Sequence, residues 1–190
     1  LTVTRTFSLE PDALQGLSLV VGLAVQSALI SLGASEIKLK WPNDIVHKGR
    51  KLGGILLELR QVHNLSHVAM GIGINIDLKE QEALSLDRPT VDLTRIIGSG
   101  IDKETLCVAL LNQLSEDIDR FIVHGFGSFI VRWNEADYYL DKRVTVLQGQ
   151  EHFRGISCGV DATGALMLKQ GPASDQTEST GEDTMLRFEG

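Results

Sequence analysis

The side chains best suited to chemistry lie in one short segment, residues 40–58. Asp44 and Lys51 stand there with three further cations, Lys40, Lys48 and Arg50. A lysine ammonium is a compact charge that can hold a carboxylate or a phosphate, and a carboxylate can orient an amine or accept its proton. This group of charges, set beside glycines such as Gly54, is typical of a site for an anionic ligand.

Asp44 and Lys51 also have ordinary structural interpretations. Lys51 begins an apolar run, where a lysine is often only a solvated strand end. Asp44 follows Pro42 and Asn43 in a turn, and Asp side chains in turns usually hydrogen-bond their own backbone. The residue types alone leave both interpretations open.

A second element, the strand predicted for residues 68–76, has two very different faces. Side chains alternate along a strand, so one face carries only Val, Met and Ile. The other face carries Ala69, Gly71, Gly73 and Asn75. Glycine inside a strand often marks the close approach of a ligand or of another backbone. We expect this bare face to form the floor of a pocket for a flat molecule.

Several common motifs are missing from the sequence. Gly71 and Gly73 do not extend to G-x-G-x-x-G, and no G-x-x-x-x-G-K-[ST] loop is present. His63 and His67 fall in a predicted turn without further ligands, so no metal-binding residues are predicted. Any nucleotide must be bound by a fold of another kind.

The surrounding elements predict an α+β fold, with a mixed β-sheet flanked by helices. Apolar residues recur every three or four positions in residues 12–32 and 103–124, which predicts two amphipathic helices. Residues 126–137 predict a third helix, and residues 61–66 a polar turn. From residue 143 onward the pattern is short strands only, which indicates a small β unit docked on the first part.

Composition narrows the class of protein. The chain has 190 residues and a net charge of −7, which disfavours general nucleic-acid binding because phosphate contacts need clustered Lys and Arg. No apolar run reaches the length of a membrane span and no signal sequence opens the chain, so we expect a cytoplasmic protein without a membrane partner. The chain starts at Leu1 inside a strand-like pattern, so we expect structure upstream of it.

Three blocks together resemble biotin protein ligases. They are K-W-P-N-D at residues 40–44, R-K-L-G-G-I-L-L-E at 50–58 and G-I-G-I-N at 71–75, in that order. The tail, residues 144–168, resembles the small SH3-like C-terminal domain of that family. The resemblance implies a catalytic domain at residues 1–140 that lacks its N-terminal part, and an SH3-like β-barrel at residues 141–190. The family's upstream Gly/Arg-rich loop and its DNA-binding helix-turn-helix have no counterpart here.

The resemblance also implies a reaction and its participants. Biotin and ATP with Mg²⁺ give biotinyl-5′-adenylate, and a lysine of a biotin carrier protein then attacks it. Lys51 and Asp44 are the implied catalytic residues. The implied substrate-binding residues are Lys40, Arg50, Lys51, Gly54, Gly71, Gly73 and Asn75.

Two alternatives to an active biotin ligase remain. One is a non-catalytic ligase remnant or binding module, and the other is a relative of lipoate or octanoate transferases. No DNA partner is expected through this chain, and exposed strand edges are compatible with a homodimer.

Overall fold

The computed structural model describes residues 2–7, 11–63, 65–79, 88–98, 100–148, 151–169 and 184–188. Its first sheet has five strands in the order β1-β5-β4-β3-β2. Their bounds are β1 Thr2–Phe7, β2 Ile37–Lys40, β3 Asp44–His47, β4 Arg50–Val62 and β5 Leu65–Ile74. Within the described ranges, the helices that accompany the strands are α1 Leu17–Ser31, α2 Leu93–Ile97, α3 Lys103–His124 and α4 Ile130–Ala136.

The predicted α+β class is confirmed, but the strands of the first sheet do not pair as a mixed sheet, and the parallel pairing described at them consists of the isolated bridges Leu39–Asp137 and Lys51–Thr90. Every strand pair that the structure describes in it is antiparallel. Strands β2 to β5 follow one another through short turns, and such connections produce antiparallel neighbours. The parallel pair lies in the second sheet instead, between β6 and β9.

The hairpin of β4 and β5 is longer than predicted. Residues 61–66 were expected to form a polar turn, but β4 continues to Val62 and β5 starts at Leu65. Cross-strand pairing along both strands outweighs the polar composition at this end. His63, with φ at 54°, lies in the turn between them.

Helix α1 differs from the amphipathic helix predicted for residues 12–32. A short 3-10 turn at Pro11–Leu14 precedes it, and Gly16 separates the two with φ at 79°. Ten of its fifteen residues are buried, because the helix lies between the sheet and α3. At Gly22 a Cβ would sit 3.4 Å from Leu39 and 3.6 Å from Ile55, so α1 packs closely on β2 and β4.

The long helix α3 has the predicted bounds. Asp102 caps it by accepting a hydrogen bond of 2.9 Å from the backbone N–H of Thr105. The helix predicted for residues 126–137 is divided into a 3-10 turn, Phe126–Phe129, and α4. None of the helices in the described ranges is long and apolar enough to cross a membrane.

A second sheet of four strands follows, in the order β8-β7-β6-β9. Its strands are β6 Arg143–Gln148, β7 Glu151–Val160, β8 Leu166–Lys169 and β9 Thr184–Phe188. It has its own small cluster of Tyr139, Val144 and Val146. It is also docked on the first part, since the indole Nε1–H of Trp41 donates to the carbonyl of Gly164 at 2.9 Å.

Candidate active site

A cavity of about 370 Å³ opens at the first sheet, where it is lined by residues of β4 and β5. Pairing of β4 with β5 sets Gly54 opposite Gly73 and Leu56 opposite Gly71, so side chains are sparse on this patch. Its lining consists of Asn43, Lys51, Gly54, Ile55, Leu56, Gly71, Ile72 and Gly73. The bare strand face predicted from the sequence is therefore the floor of this cavity.

Packing within the protein does not demand glycine at two of these positions. A Cβ at Gly71 would meet its nearest atom, the Leu56 carbonyl oxygen, at 3.7 Å, and one at Gly73 would lie 3.9 Å from the Gly54 oxygen. Both are ordinary contacts, so a side chain there would occupy the cavity rather than collide with the sheet. Gly53, in contrast, is needed for the sheet itself, because a Cβ there would lie 2.3 Å from the Gly73 oxygen.

Lys51 and Asp44 meet at the edge of the cavity. The Lys51 ammonium Nζ donates to the Asp44 carboxylate Oδ1. The side chains are 27% and 12% exposed respectively, so the pair is partly shielded from water. A Cβ at Gly54 would lie 3.2 Å from Nζ of Lys51, and the glycine leaves room for the pair. Lys51 is therefore not simply a solvated strand end. Asp44 pairs with side chains beyond its own turn, which a purely local role in that turn does not explain.

Arg88 is a third charged member of the site, and it is not among the residues predicted from the sequence. Its Nη1 lies 3.3 Å from the second carboxylate oxygen, Oδ2, of Asp44. The arginine is far from Asp44 in sequence and belongs to no motif, so only the tertiary structure brings the two together. Asp44 thus has one cation on each oxygen, an excess of one positive charge beside the cavity.

Lys40 lies in the same electrostatic field. Burial lowers the pKa of the Lys40 ammonium below the ordinary lysine value; Asp44 opposes this shift, and Arg88 and Lys51 add to it. Its Nζ also lies 5.9 Å from the centre of the Tyr139 ring. Lys40 is therefore close enough to Asp44 and Lys51 to interact with their charges, but it is not among the residues that line the cavity.

Asn75 and Arg50 hold backbone at the site. The Asn75 amide nitrogen donates to the carbonyls of Lys51 at 3.4 Å and Val91 at 3.2 Å. The Arg50 guanidinium donates to the Thr90 carbonyl at 2.6 Å. Both side chains tie the segment after residue 88 to the start of β4. Their predicted contacts with substrate stay predictions.

Asn43 fixes the other wall of the cavity. Its amide donates to the Ile55 carbonyl at 2.8 Å, and the Ile55 N–H donates back to the Asn43 carbonyl at 2.9 Å. This reciprocal pair holds the turn before β3 against β4. From the sequence, Asn43 is predicted only as part of a turn, although the K-W-P-N-D block contains it.

A larger cavity of about 630 Å³ lies between α1 and α3. Its charged lining residues, Asp102, Glu104 and Glu116, are all acidic. A groove with this charge repels anions, so the smaller cavity beside Lys51 is the better candidate for an anionic ligand. Across the residues described by the structure, no three His, Cys, Asp or Glu side chains are grouped as a metal site.

Comparisons with known proteins identify relatives of this chain. A model described as the biotin/lipoate A/B protein ligase family matches residues 2–75, which span β1 to β5. The bifunctional ligase/repressor BirA of Escherichia coli (strain K12) is 34% identical over 161 residues, covering 84% of this chain. The biotin–[acetyl-CoA-carboxylase] ligase of Paracoccus denitrificans is 31% identical over 166 residues, covering 84% of this chain and 68% of that protein.

A solved structure shows the same fold. The biotin protein ligase from Aquifex aeolicus in complex with biotin and ATP superposes with a TM-score of 0.70 at 26% identity, covering 88% of this chain and 71% of that one. The chain spans 50% of the length of the Escherichia coli relative. Because the similarity extends over two thirds of the Paracoccus enzyme and the family model includes every residue of the cavity, the chain belongs to the biotin/lipoate protein ligase family.

Proposed function

We propose that this protein attaches biotin to a lysine of a biotin carrier protein, with ATP as the energy source and biotinyl-5′-adenylate as the intermediate. The observation that carries the proposal is the pair of Lys51 and Asp44 at the edge of a glycine-floored cavity. A volume of about 370 Å³ falls within the range of roughly 300–1,000 Å³ that small-molecule sites occupy. Relatives named as biotin ligases supply the chemical identity of the ligand.

In the first step a carboxylate oxygen of biotin attacks the α-phosphorus of ATP. A new P–O bond forms, the bond to the β-phosphate oxygen breaks, and pyrophosphate leaves with the electron pair. Negative charge builds on the phosphoryl oxygens, and a cation fixed beside them stabilises that charge without reorganising solvent. Lys51 occupies such a position at the cavity edge, and Gly71 and Gly73 leave space for the ligand.

In the second step a carrier lysine attacks the carbonyl carbon of the mixed anhydride. A C–N bond forms, the C–O bond to phosphate breaks, and AMP leaves. An unperturbed lysine has a pKa of about 10.4, so its ammonium must lose a proton before attack. Asp44 is the carboxylate that would orient this amine or accept the proton.

Mg²⁺ is not assigned to residues of this chain. Both carboxylate oxygens of Asp44 are already paired with cations, and the described residues hold no cluster of three acidic or other metal-binding side chains. We propose that the ion enters as part of the nucleotide substrate, because Mg²⁺ is commonly held by substrate phosphates with few protein ligands.

The remaining parts of the proposal concern organisation. Residues 1–140 would form the catalytic domain and residues 141–190 an SH3-like domain, which the separate second sheet and its own cluster support. The carrier protein is the proposed partner, and cytoplasm the proposed location. Homodimer formation and the absence of DNA binding stay predictions.

Isothermal titration with biotin and ATP, together with an assay for released pyrophosphate, tests the proposal. We expect micromolar or tighter binding of biotin in the presence of ATP, and release of one pyrophosphate for each adenylate formed. Lipoate and octanoate replace biotin in parallel titrations. Release of pyrophosphate from ATP with lipoate or octanoate but not with biotin would show that the chain activates those acids instead. Binding of lipoate or octanoate without pyrophosphate release would favour the transferase relatives, and failure to bind even preformed biotinyl-adenylate would make the chain a non-catalytic module.

A further inference from the structure

Asp44 is shared by two cations, although one would neutralise it. Lys51 pairs with Oδ1, and Arg88 pairs with Oδ2 at 3.3 Å. The Arg88 side chain is 59% exposed, whereas that of Lys51 is 27% exposed. Exposed ion pairs are weak because water competes for both partners. Arg88 is therefore the cation that Asp44 can release most easily.

Hydrogen bonds between the backbone of Lys51 and the residues that follow Arg88 set the position of Arg88. The Lys51 N–H donates to the Pro89 carbonyl and the Val91 N–H donates to the Lys51 carbonyl, both at 2.9 Å. The Asn75 side-chain amide donates hydrogen bonds to the carbonyls of Lys51 and Val91. These bonds attach the segment that carries Arg88 to the start of β4, so its guanidinium stays within reach of the cavity edge.

The chemistry of a guanidinium suits phosphate. It is always charged, and its planar fork of N–H donors can bind two phosphate oxygens at once. The described contact with Asp44 engages Nη1. Lys51 alone offers a single point charge, whereas a triphosphate carries several negative charges on adjacent groups.

We propose that Arg88 is a phosphate-binding residue of this site, which pairs with Asp44 in the empty site and transfers to a phosphate of the nucleotide when it binds. The identity of the nucleotide as ATP rests on the proposed ligase function. Asp44 therefore loses one of its two cations only when a phosphate has arrived.

Direct binding measurements on Arg88→Gln test this role. ATP, inorganic pyrophosphate and biotin are each titrated alone into the wild-type chain and the variant, and ATP is also titrated with biotin present. We expect the Kd for ATP and for pyrophosphate to rise about tenfold or more in the variant, with the Kd for biotin alone unchanged. Arg88→Lys keeps the charge without the fork and should fall between the two.

Arg60→Gln is the matched control. Arg60 is an exposed arginine on β4, beyond the cavity, and its replacement changes the net charge equally. We expect Arg60→Gln to bind ATP with the wild-type Kd. This result would show that the effect of Arg88→Gln comes from a local contact and not from the general loss of one positive charge.

Each outcome decides the inference. Equal ATP affinity in Arg88→Gln and the wild-type chain overturns it, and so does a wild-type chain that binds neither ATP nor pyrophosphate. Equal weakening of biotin and ATP also overturns it, because Arg88 would then only support Lys51 and Asp44. Arg88-dependent binding of ATP without release of pyrophosphate in the presence of biotin would uphold the inference while refuting the ligase function.

Discussion

Replacing Lys51 with methionine removes the cation from the edge of the cavity and keeps a side chain of similar length. The variant separates the contribution of Lys51 to the reaction from its contribution to folding. Asp44 retains its contact with Arg88 at 3.3 Å, so its carboxylate is not left without a partner. We expect adenylate formation to fail while the fold persists.

The size of both effects follows from the structure. Loss of one fixed donor to a developing oxyanion costs about 2.7–4 kcal/mol, or about 100- to 1,000-fold in kcat. Lys51 is 27% exposed, so water screens part of its charge and the lower end, about 100-fold, is expected. The pair with Asp44 is partly exposed, and pairs of this kind contribute about 0–1 kcal/mol to the free energy of unfolding. For a chain of this size that corresponds to a decrease in Tm of about 2–4 °C at most.

The rate of pyrophosphate release is measured with saturating biotin and ATP. The Tm of the same samples is measured by thermal unfolding. Lys48→Met is the control, because Lys48 belongs to the neighbouring turn and pairs with Glu36 at 2.7 Å, where the two side chains are 62% and 61% exposed. Its rate should equal that of the wild-type chain. A Lys51→Met variant within threefold of the wild-type rate would refute the catalytic assignment, and an unfolded variant would show that the pair has a larger structural role than its exposure indicates.

Three further predictions address the second step, the cavity floor and the junction between the sheets. Asp44→Asn should slow transfer from preformed biotinyl-adenylate to the carrier by about 100-fold or more, as measured in a single turnover; an unchanged rate would remove Asp44 from the second step. Gly73→Val should raise the Kd for biotin with little change in Tm, because a Cβ there lies 3.9 Å from the Gly54 oxygen and points into open space; unchanged titrations would place the ligand elsewhere. Burial raises the pKa of the Asp137 carboxyl above its ordinary 3.8, although the Tyr139 N–H opposes the shift, so its stabilising contribution is present below pH 3.8 and is lost as pH rises through the raised pKa. Asp137→Asn should therefore raise Tm more at pH 7 than at pH 3.5 in thermal melts, and an equal shift at both would contradict the assignment.

The sequence was sufficient to predict an element where the local residue pattern and the chemistry of its residues indicate the same structure. The alternation of residues 68–76 correctly predicted a bare face at Gly71 and Gly73, because side-chain direction in a strand follows position alone. The helix at Lys103–His124 has the predicted bounds, since the Asp102 cap, apolar spacing and Gly125 all lie within the segment itself. The family was also evident, because the three blocks carry their identity in residue order.

The sequence was less informative where distant segments compete. Helix α1 carries an amphipathic spacing, but it is buried over most of its surface because the sheet and α3 enclose it. The turn predicted at residues 61–66 was wrong, because cross-strand pairing extended β4 and β5 through polar residues. The burial of α1 and the pairing of β4 with β5 depend on residues distant in sequence, so local composition does not predict their free energies.

The sequence by itself determined the strands, the glycine-lined floor and the presence of Lys51 and Asp44 within one segment. The tertiary structure decided that their charges meet, because the β3–β4 pairing sets Asp44 opposite Gly54 and the glycine leaves room for the ammonium. It also decided that Arg88 joins them, through a segment that hydrogen-bonds the backbone of Lys51. Ion pairs of this kind depend on distances between atoms rather than on residue order, and folding alone establishes those distances.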